Sequence, residues 1–511
     1  MVLNCEKNPN VLQKFVINKI KVFKKSPLFW LAVLFMLTAK GHIEIIDTEY
    51  SIRTAKALIE DGTMLIDPLS VGKKHSPLTE VTNKIYSQYG VGLLAIFIPI
   101  LTIAKLLSFC SGFDEVMLSH FLLSFYNIPF ALLGLWHFRE ILKKLGQDHD
   151  TANFLMICLA SGTIFWKYVV TDFSEVTQIS LLLGAIHSYI NRESRMRWFI
   201  VSAYLSLLIL LKLVYAIILP PFIVLAVIEG AKEKKAINNL AQGASFLTFA
   251  GLFVMTLNWH RFGNILESGY GTAQSAFSFN YLQRDFLDYL ISFDRGLFPY
   301  SPLLLVALFG FREFFKRDKS LFFLIFAISA SLFLLTASWV GWKGGYCWGN
   351  RNIVPIVPLI ALGWAYIKLN NCWLHKNIFT FLLVLSLCVQ IIGVSLKTHE
   401  WSVIAEQFKD HPDPYYVPSE MKGSAFLFRE KLFNVSGIYS ADKFVPEHCH
   451  KIDLTEYDSF YGFNFWMVHC AKLVDFINIK FLGNSLVLVI ITGSSLMLYR
   501  NRPPVIRKNL K

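Results

Sequence analysis

Charge is scarce in this chain. Asp, Glu, Lys and Arg make up only 17% of its 511 residues, while 54% are apolar, more than a water-soluble core requires. No small-residue cleavage site follows the first apolar run at Pro27, so that run reads as a retained span rather than a removed leader. No strong internal repeat is found, which weakens a secondary transporter built from two related halves. No HExxH, paired CxxC, Walker or GxSxG sequence occurs, leaving zinc protease, NTPase and serine hydrolase without support. The eight cysteines are scattered. Cys158, Cys372 and Cys388 lie in or beside apolar runs, where packing is their default role. Cys449 and Cys470 are either a disulfide pair in an oxidising compartment or two thiols. Glu447 to His450, with His469, has metal-ligand residue types at a spacing that matches no standard zinc pattern.

What the chain does have is apolar runs of about 17 to 22 residues, enough to cross ~30 Å of hydrocarbon. The fold expected is therefore all-α and polytopic. The net charge of +13 does not point to nucleic acid, because the cations sit in short segments beside these runs, where they set orientation and meet anionic lipid. Basic clusters occur at Lys14 to Lys25, Lys143 and Lys144, Arg192 to Arg197, Lys232 to Lys235, Arg312 to Lys319, Lys368 to Lys376 and from Arg500 onward. Placing all of them in the cytoplasm predicts twelve crossings, near residues 27–46, 117–137, 152–169, 174–190, 197–211, 213–228, 240–258, 297–313, 320–339, 352–369, 377–396 and 479–499. The pair spanning Arg197 to Glu229 is short for two crossings and requires a tight or tilted hairpin with Lys212 near its outer tip.

A thirteenth apolar stretch, Tyr89 to Phe109, breaks this parity. Either it is re-entrant or lies in the outer leaflet, or it spans and moves the basic Lys143 loop outside. The first alternative gives a cytoplasmic basic N-terminus (1–26), a membrane domain (27–396) with a first outer loop at 41–88, an outer soluble segment (397–478), a last span (479–499) and a basic tail (500–511). The outer segment is long enough for a small cap.

The outer face collects the residues with chemical potential. In IIDTEYSIRTAKALIEDG, Thr48 is a plausible N-cap and Ile52, Ala55, Leu58 and Ile59 form one apolar stripe, so an amphipathic surface helix is expected with Asp47 and Glu49 at its start. Acids also favour any helix's first turn. Asp172 and Glu175 form a second acidic pair at the next outer hairpin. Lys212 is embedded in LLILLKLVYAIILPP, where an ionisable group needs a cavity or partner unless it snorkels. Arg261, Arg295, Lys343 and Arg351 fall on the same side. Cations and glycine-rich backbone beside paired carboxylates suit a phosphate or pyrophosphate group together with acid-base work.

Five segments in order, IDTEYSIRTAKALIEDG, YSQYGVGLLAIFIP, FGNILESGYG, RGLFPYSPLLL and WKGGYCWGNRNIVPIVPL, resemble the bacterial membrane proteins of the GT-C glycosyltransferase superfamily, relatives of the protein mannosyltransferases and lipid A aminoarabinose transferases. They are spread over the span of residues 43 to 360. The resemblance implies an inverting transferase that takes a sugar from a polyprenyl-phosphate carrier and passes it to a glycan, lipid or protein acceptor on the outer face of a bacterial inner membrane. It also implies juxtamembrane helices in the first outer loop. Asp47 matches the family's acidic residue after the first span, with Glu49 as a second member, and Asp172, with Glu175, matches the acid of the next outer turn. Lys212 stands where the family usually has Arg, keeping charge without the bidentate fork, and GNRN replaces GxRY, keeping Arg351 without the aromatic. On this reading Asp47 is the general base, Lys212 and Arg351, with Arg261 or Lys343, meet the leaving phosphate, Arg295 is a further substrate-binding cation, and Glu49, Asp172 or Glu175 orients the sugar or holds a divalent metal. A flippase of lipid-linked sugars and a silent scaffold of the same fold stay open as alternatives.

Overall fold

The computed structural model describes residues 26–66, 78–81, 84–269, 277–341, 343–345, 347–367, 373–398, 400–401, 419–433, 463–472 and 479–501. The protein is a helical membrane protein, and the strands among the described residues are one short antiparallel pair, β1 (Leu78–Val81) and β2 (Lys84–Ser87). Helices α1 (Pro27–Thr38) and α2 (Ile46–Glu60) precede it. α3 (Leu94–Ser111), α4 (Glu115–Leu123) and α5 (Asn127–Lys144) follow. Then come α6 (His149–Ser161), α7 (Phe165–Val169), α8 (Glu175–Ile190) and α9 (Arg197–Leu211), and after them α10 (Leu219–Lys232) and α11 (Ala236–Phe262).

Seven described segments are long and apolar enough to cross a membrane: Val91–Ser111, Glu115–Lys144, Leu213–Lys232, Ala236–Phe262, Lys319–Ala337, Lys376–Ser395 and Phe481–Arg500. Six of them coincide with expected crossings. The other six expected crossings fall on shorter or interrupted helices, and the seventh long segment is the stretch that upset the charge parity.

That stretch is one arm of a hairpin. Gly112, in the left-handed conformation, ends α3, and α4 returns along it so that Phe97 near the start meets Tyr126 at the end, ring centroids 5.2 Å apart. Both ends of the hairpin therefore lie at one level, while its tip turns apolar side chains outward, Phe109 being 90% exposed. At the start of α5 the Asn127 amide donates to the carbonyls of Thr171 (2.8 Å) and Phe173 (2.6 Å). From there α5 and α8 run side by side in one direction. Thr177 donates to Asn127 at the start (3.2 Å), and His137 Nδ1 lies 3.0 Å from His187 Nδ1 further along. Lys143 and Lys144 thus end up beside Arg192, at the end where Glu229 of α10 takes Arg197 Nη2 at 2.6 Å and Tyr189 at 2.8 Å.

Two breaks in the apolar runs place cations at the opposite end. Pro355 and Pro358 lack the N–H that a continuous α ladder needs, so Arg351–Tyr366 is a 3-10 turn, a short α-helix and a second 3-10 turn, with Arg351 at its head. Lys212 is extended (φ −155°, ψ 109°) between α9 and a 3-10 turn over Leu213–Ile218. The backbone at Gly90 and Gly92 packs onto the end of α9 so closely that a Cβ at Gly90 would lie 2.2 Å from Leu211 O and one at Gly92 2.7 Å from Leu211 N. This contact brings Tyr89 beside Lys212.

Candidate active site

Asp47 sits in the first turn of α2, an amphipathic helix that buries Ile52 and Ala55. The carboxylate receives the Tyr89 hydroxyl at 2.5 Å and Arg351 Nη1 at 2.7 Å. Arg351 lies over the Phe173 ring, 4.9 Å from its centroid, which fixes the plane of the guanidinium. Lys212 Nζ is 3.7 Å from Glu175 Oε1, and both Asp47 and Arg351 bear on its charge. Asp47, Arg351 and Lys212 keep 24%, 20% and 34% of their side-chain surface exposed, so the group opens outward, whereas Glu175 is 3% exposed. Among the described residues, Glu175 Oε2 and Arg351 Nε are buried without a hydrogen-bond partner. Burial pushes the Asp47 carboxyl up, but Arg351, Tyr89 and Lys212 outweigh it and hold the group below its ordinary range.

Four of the expected residues, Asp47, Glu175, Lys212 and Arg351, therefore gather in one place. Glu49 does not join them. Two positions along a helix turns a side chain to the far side, and Glu49 instead accepts from Arg53 Nε (3.0 Å) and lies 3.2 Å from His120 on α4. His120 and Arg53 hold its carboxyl below the usual value against its burial. The Asp172 carboxylate does not face the group either, since its oxygens accept the backbone N–H of Glu44 (3.2 Å) and Ile45 (3.0 Å). Burial and the Glu44 carboxylate push it up to about 7, against the pull of those donors.

Three cations also have other partners. Arg261 reaches the carbonyls of Ser87 (3.2 Å) and Tyr89 (3.4 Å) and Asn258 Oδ1 (3.1 Å), so it holds the Tyr89 backbone. Arg295 donates to the carbonyls of Cys347 and Gly349 (3.2 Å for the latter) and lies 3.7 Å from Glu420, fixing the loop that leads into Arg351. Lys343 is exposed and pairs with Asp294 at 3.3 Å. Among the described residues no three His, Cys, Asp or Glu side chains are grouped to hold a metal ion. Asp47, Glu49 and Asp172 face cations or N–H donors, while one oxygen of Glu175 lacks a hydrogen-bond partner among the described residues. Cys449 and Glu447 to His450 lie outside the described residues.

Tyr89 and Phe173 escaped the sequence reading. Tyr89 is 42 residues from Asp47, and nothing local marks it except the glycine that follows. Glu44 was missed as well. It is buried, receiving Thr398 N (3.2 Å), Thr398 Oγ1 (2.6 Å) and Asn464 Nδ2 (2.5 Å), with His42 Nε2 at 3.3 Å. A Glu in a short GHIEII run reads as an ordinary polar loop residue.

No family model matches the chain, and no curated protein matches it in sequence. It is similar to solved membrane proteins. ArnT from Cupriavidus metallidurans bound to undecaprenyl phosphate aligns with 95% of this chain and 76% of its own length, with 10% identity and a TM-score of 0.46. The Archaeoglobus fulgidus oligosaccharyltransferase in complex with Zn and sulfate aligns with 78% of this chain at 11% identity and a TM-score of 0.45, and the alignment spans 58% of that longer protein. AglB from the same organism, with an inhibitory peptide and a dolichol-phosphate, has a TM-score of 0.41 at 11% identity, over 78% of this chain and 59% of its own.

Proposed function

We propose that this protein is an inverting glycosyltransferase that moves a sugar from a polyprenyl-phosphate carrier to an acceptor on the outer face of the membrane. The observation that carries the reading is the Asp47 carboxylate, held by Arg351 and Tyr89 beside the Lys212–Glu175 pair at one end of the bundle. A base and two cations within one partly open group are what a single displacement at an anomeric carbon requires. The acceptor oxygen attacks that carbon, the bond from the carbon to the phosphate oxygen breaks, and the acceptor's proton goes to Asp47. Phosphate is a good leaving group, so its negative charge calls for Arg351 and Lys212 more than for an acid.

Asp47 clamped by Arg351 is a weak base. A carrier phosphate that takes up the guanidinium loosens this clamp, and the basicity of Asp47 rises when the donor is in place. Glu175, buried 3.7 Å from Lys212 and with one oxygen lacking a hydrogen-bond partner among the described residues, is able to accept a sugar hydroxyl.

The test is transfer of labelled sugar from polyprenyl-phosphate donors in reconstituted vesicles, wild type against Asp47→Asn. The expected result is transfer by wild type and a loss of about 100-fold or more in the variant, with donor binding kept. Equal product from both ends the assignment of Asp47. Movement of labelled lipid across the bilayer without transfer replaces the enzyme by a flippase.

A further inference from the structure

Helix α2 has no side chain of its own capping its N-terminus; Ile45 occupies the cap position. Its entry is fixed instead by two carboxylates acting in opposite directions. Asp172, at the turn before α8, accepts the N–H groups of Glu44 and Ile45 and so ties the segment to the bundle. The Glu44 side chain points the other way, into a seam beneath the outer segment, where Thr398 and Asn464 donate to it from positions 66 residues apart in sequence. The same seam buries Lys40, which donates to the carbonyls of Val394 and Asn464, and Lys167, which donates to Leu396 O at 2.9 Å. Lys431 lies there too, 2.6 Å from Glu400. Asp47 comes three residues after Glu44, at the second position of the helix.

We propose that Glu44 is a positioning residue through which the outer segment sets the orientation of Asp47, so that docking of Thr398 and Asn464 is part of the working site and not only a cover above it. The inference rests on the proposed role of Asp47. The physical chain is short. With the Glu44 carboxylate held from above and its N–H held from the side, residues 44 and 45 have little freedom, and the first turn of α2 starts at one angle. A displacement of about 1 Å at a reacting group costs as much as 100-fold in rate. Burial pushes the Glu44 carboxyl up, but His42, Lys167 and Lys40 outweigh it and hold it well below its ordinary value, so it meets its donors as a charged acceptor.

The experiment uses the full chain in vesicles, with four variants. Glu44→Gln and Thr398→Val weaken the contact. Thr398→Ser retains the hydroxyl, and Trp466→Phe removes a different bond across the same seam, Trp466 Nε1 to Met36 O at 2.9 Å. Amide hydrogen exchange of residues 44–49 is read first, because it needs no turnover, and is expected to rise at least tenfold in Glu44→Gln and Thr398→Val only. In transfer assays the same two variants should lose at least tenfold in kcat, with KM for the polyprenyl-phosphate donor and binding of undecaprenyl phosphate within threefold of wild type. Exchange and kcat unchanged in both overturn the proposal, as does an equal loss in Trp466→Phe, which would make the effect one of general docking. Absence of transfer by wild type, with the exchange pattern as expected, counts against the enzymatic reading and leaves the mechanical link standing.

Discussion

At the scale of single residues, the arrangement turns on which carboxylate meets which cation. Asp47 and Glu49 look equivalent as letters two apart, yet one is clamped by Arg351 and the other by Arg53 and His120. The clamp makes a prediction about pH. Because Arg351, Tyr89 and Lys212 outweigh burial and lower the Asp47 carboxyl, it stays charged as pH falls through the ordinary carboxylate range, and the acid limb of kcat/KM lies below that range. Arg351→Gln removes the largest of the lowering influences and leaves burial, so the limb moves to higher pH and the rate at neutral pH falls by about 100-fold or more. A pH–rate profile of the two proteins checks both statements, and a limb unmoved by the substitution would mean that another group titrates. Asp47, Glu175, Lys212 and Arg351 were legible because each is an ion out of place beside apolar sequence. Tyr89 and Glu44 were not, since a tyrosine and a glutamate in polar loops carry no such mark and acquire their roles from partners far away in the chain.

At the scale of elements, proline and glycine decide where the helices break, and the breaks decide where the cations point. Lys212 and Arg351 both stand at interruptions, one between α9 and a 3-10 turn, the other at the head of a proline-broken segment. Gly90 is the sharpest case of close approach, for a methyl group there would collide with the carbonyl ends of α9. Gly90→Ala is expected to push Tyr89 away from Asp47 and to cost about 1–3 kcal/mol of stability. A lowered melting temperature in detergent together with lost transfer is the expected pair of results; a variant that matches wild type in both shows that the loop shifts freely. The interruptions also explain why the expected crossings near 152–169, 297–313 and 352–369 are not long apolar helices in the fold, because hydropathy sums along the sequence and is blind to a change of hydrogen-bond pattern.

At the scale of the whole molecule, charge parity left two readings of Tyr89 to Phe109, re-entrant or spanning, and in the fold this stretch forms a hairpin with α4 in which Phe97 meets Tyr126. The consequence can be measured with a membrane-impermeant maleimide on single cysteines in a cysteine-free background. Lys343→Cys is expected to label from outside in intact cells and Lys143→Cys only after the membrane is opened; labelling of both from outside would reverse the assignment. The described parts of the outer segment are joined to the bundle by two buried ions, Lys40, which donates to Asn464 O, and Glu44, which accepts from Thr398 and Asn464, a seam that composition does not reveal. The sequence alone determined the helical membrane class and marked the residues that gather at one end of the bundle, because these follow from apolar length and from the cost of charge in lipid; the side on which each basic segment lies is its prediction. Only the tertiary structure decided which acids face which cations, that Asp172, Arg261 and Arg295 support the site from behind, and that Glu44 links it to the outer segment. Those choices depend on directions of side chains brought together from distant parts of the chain, which no local pattern encodes.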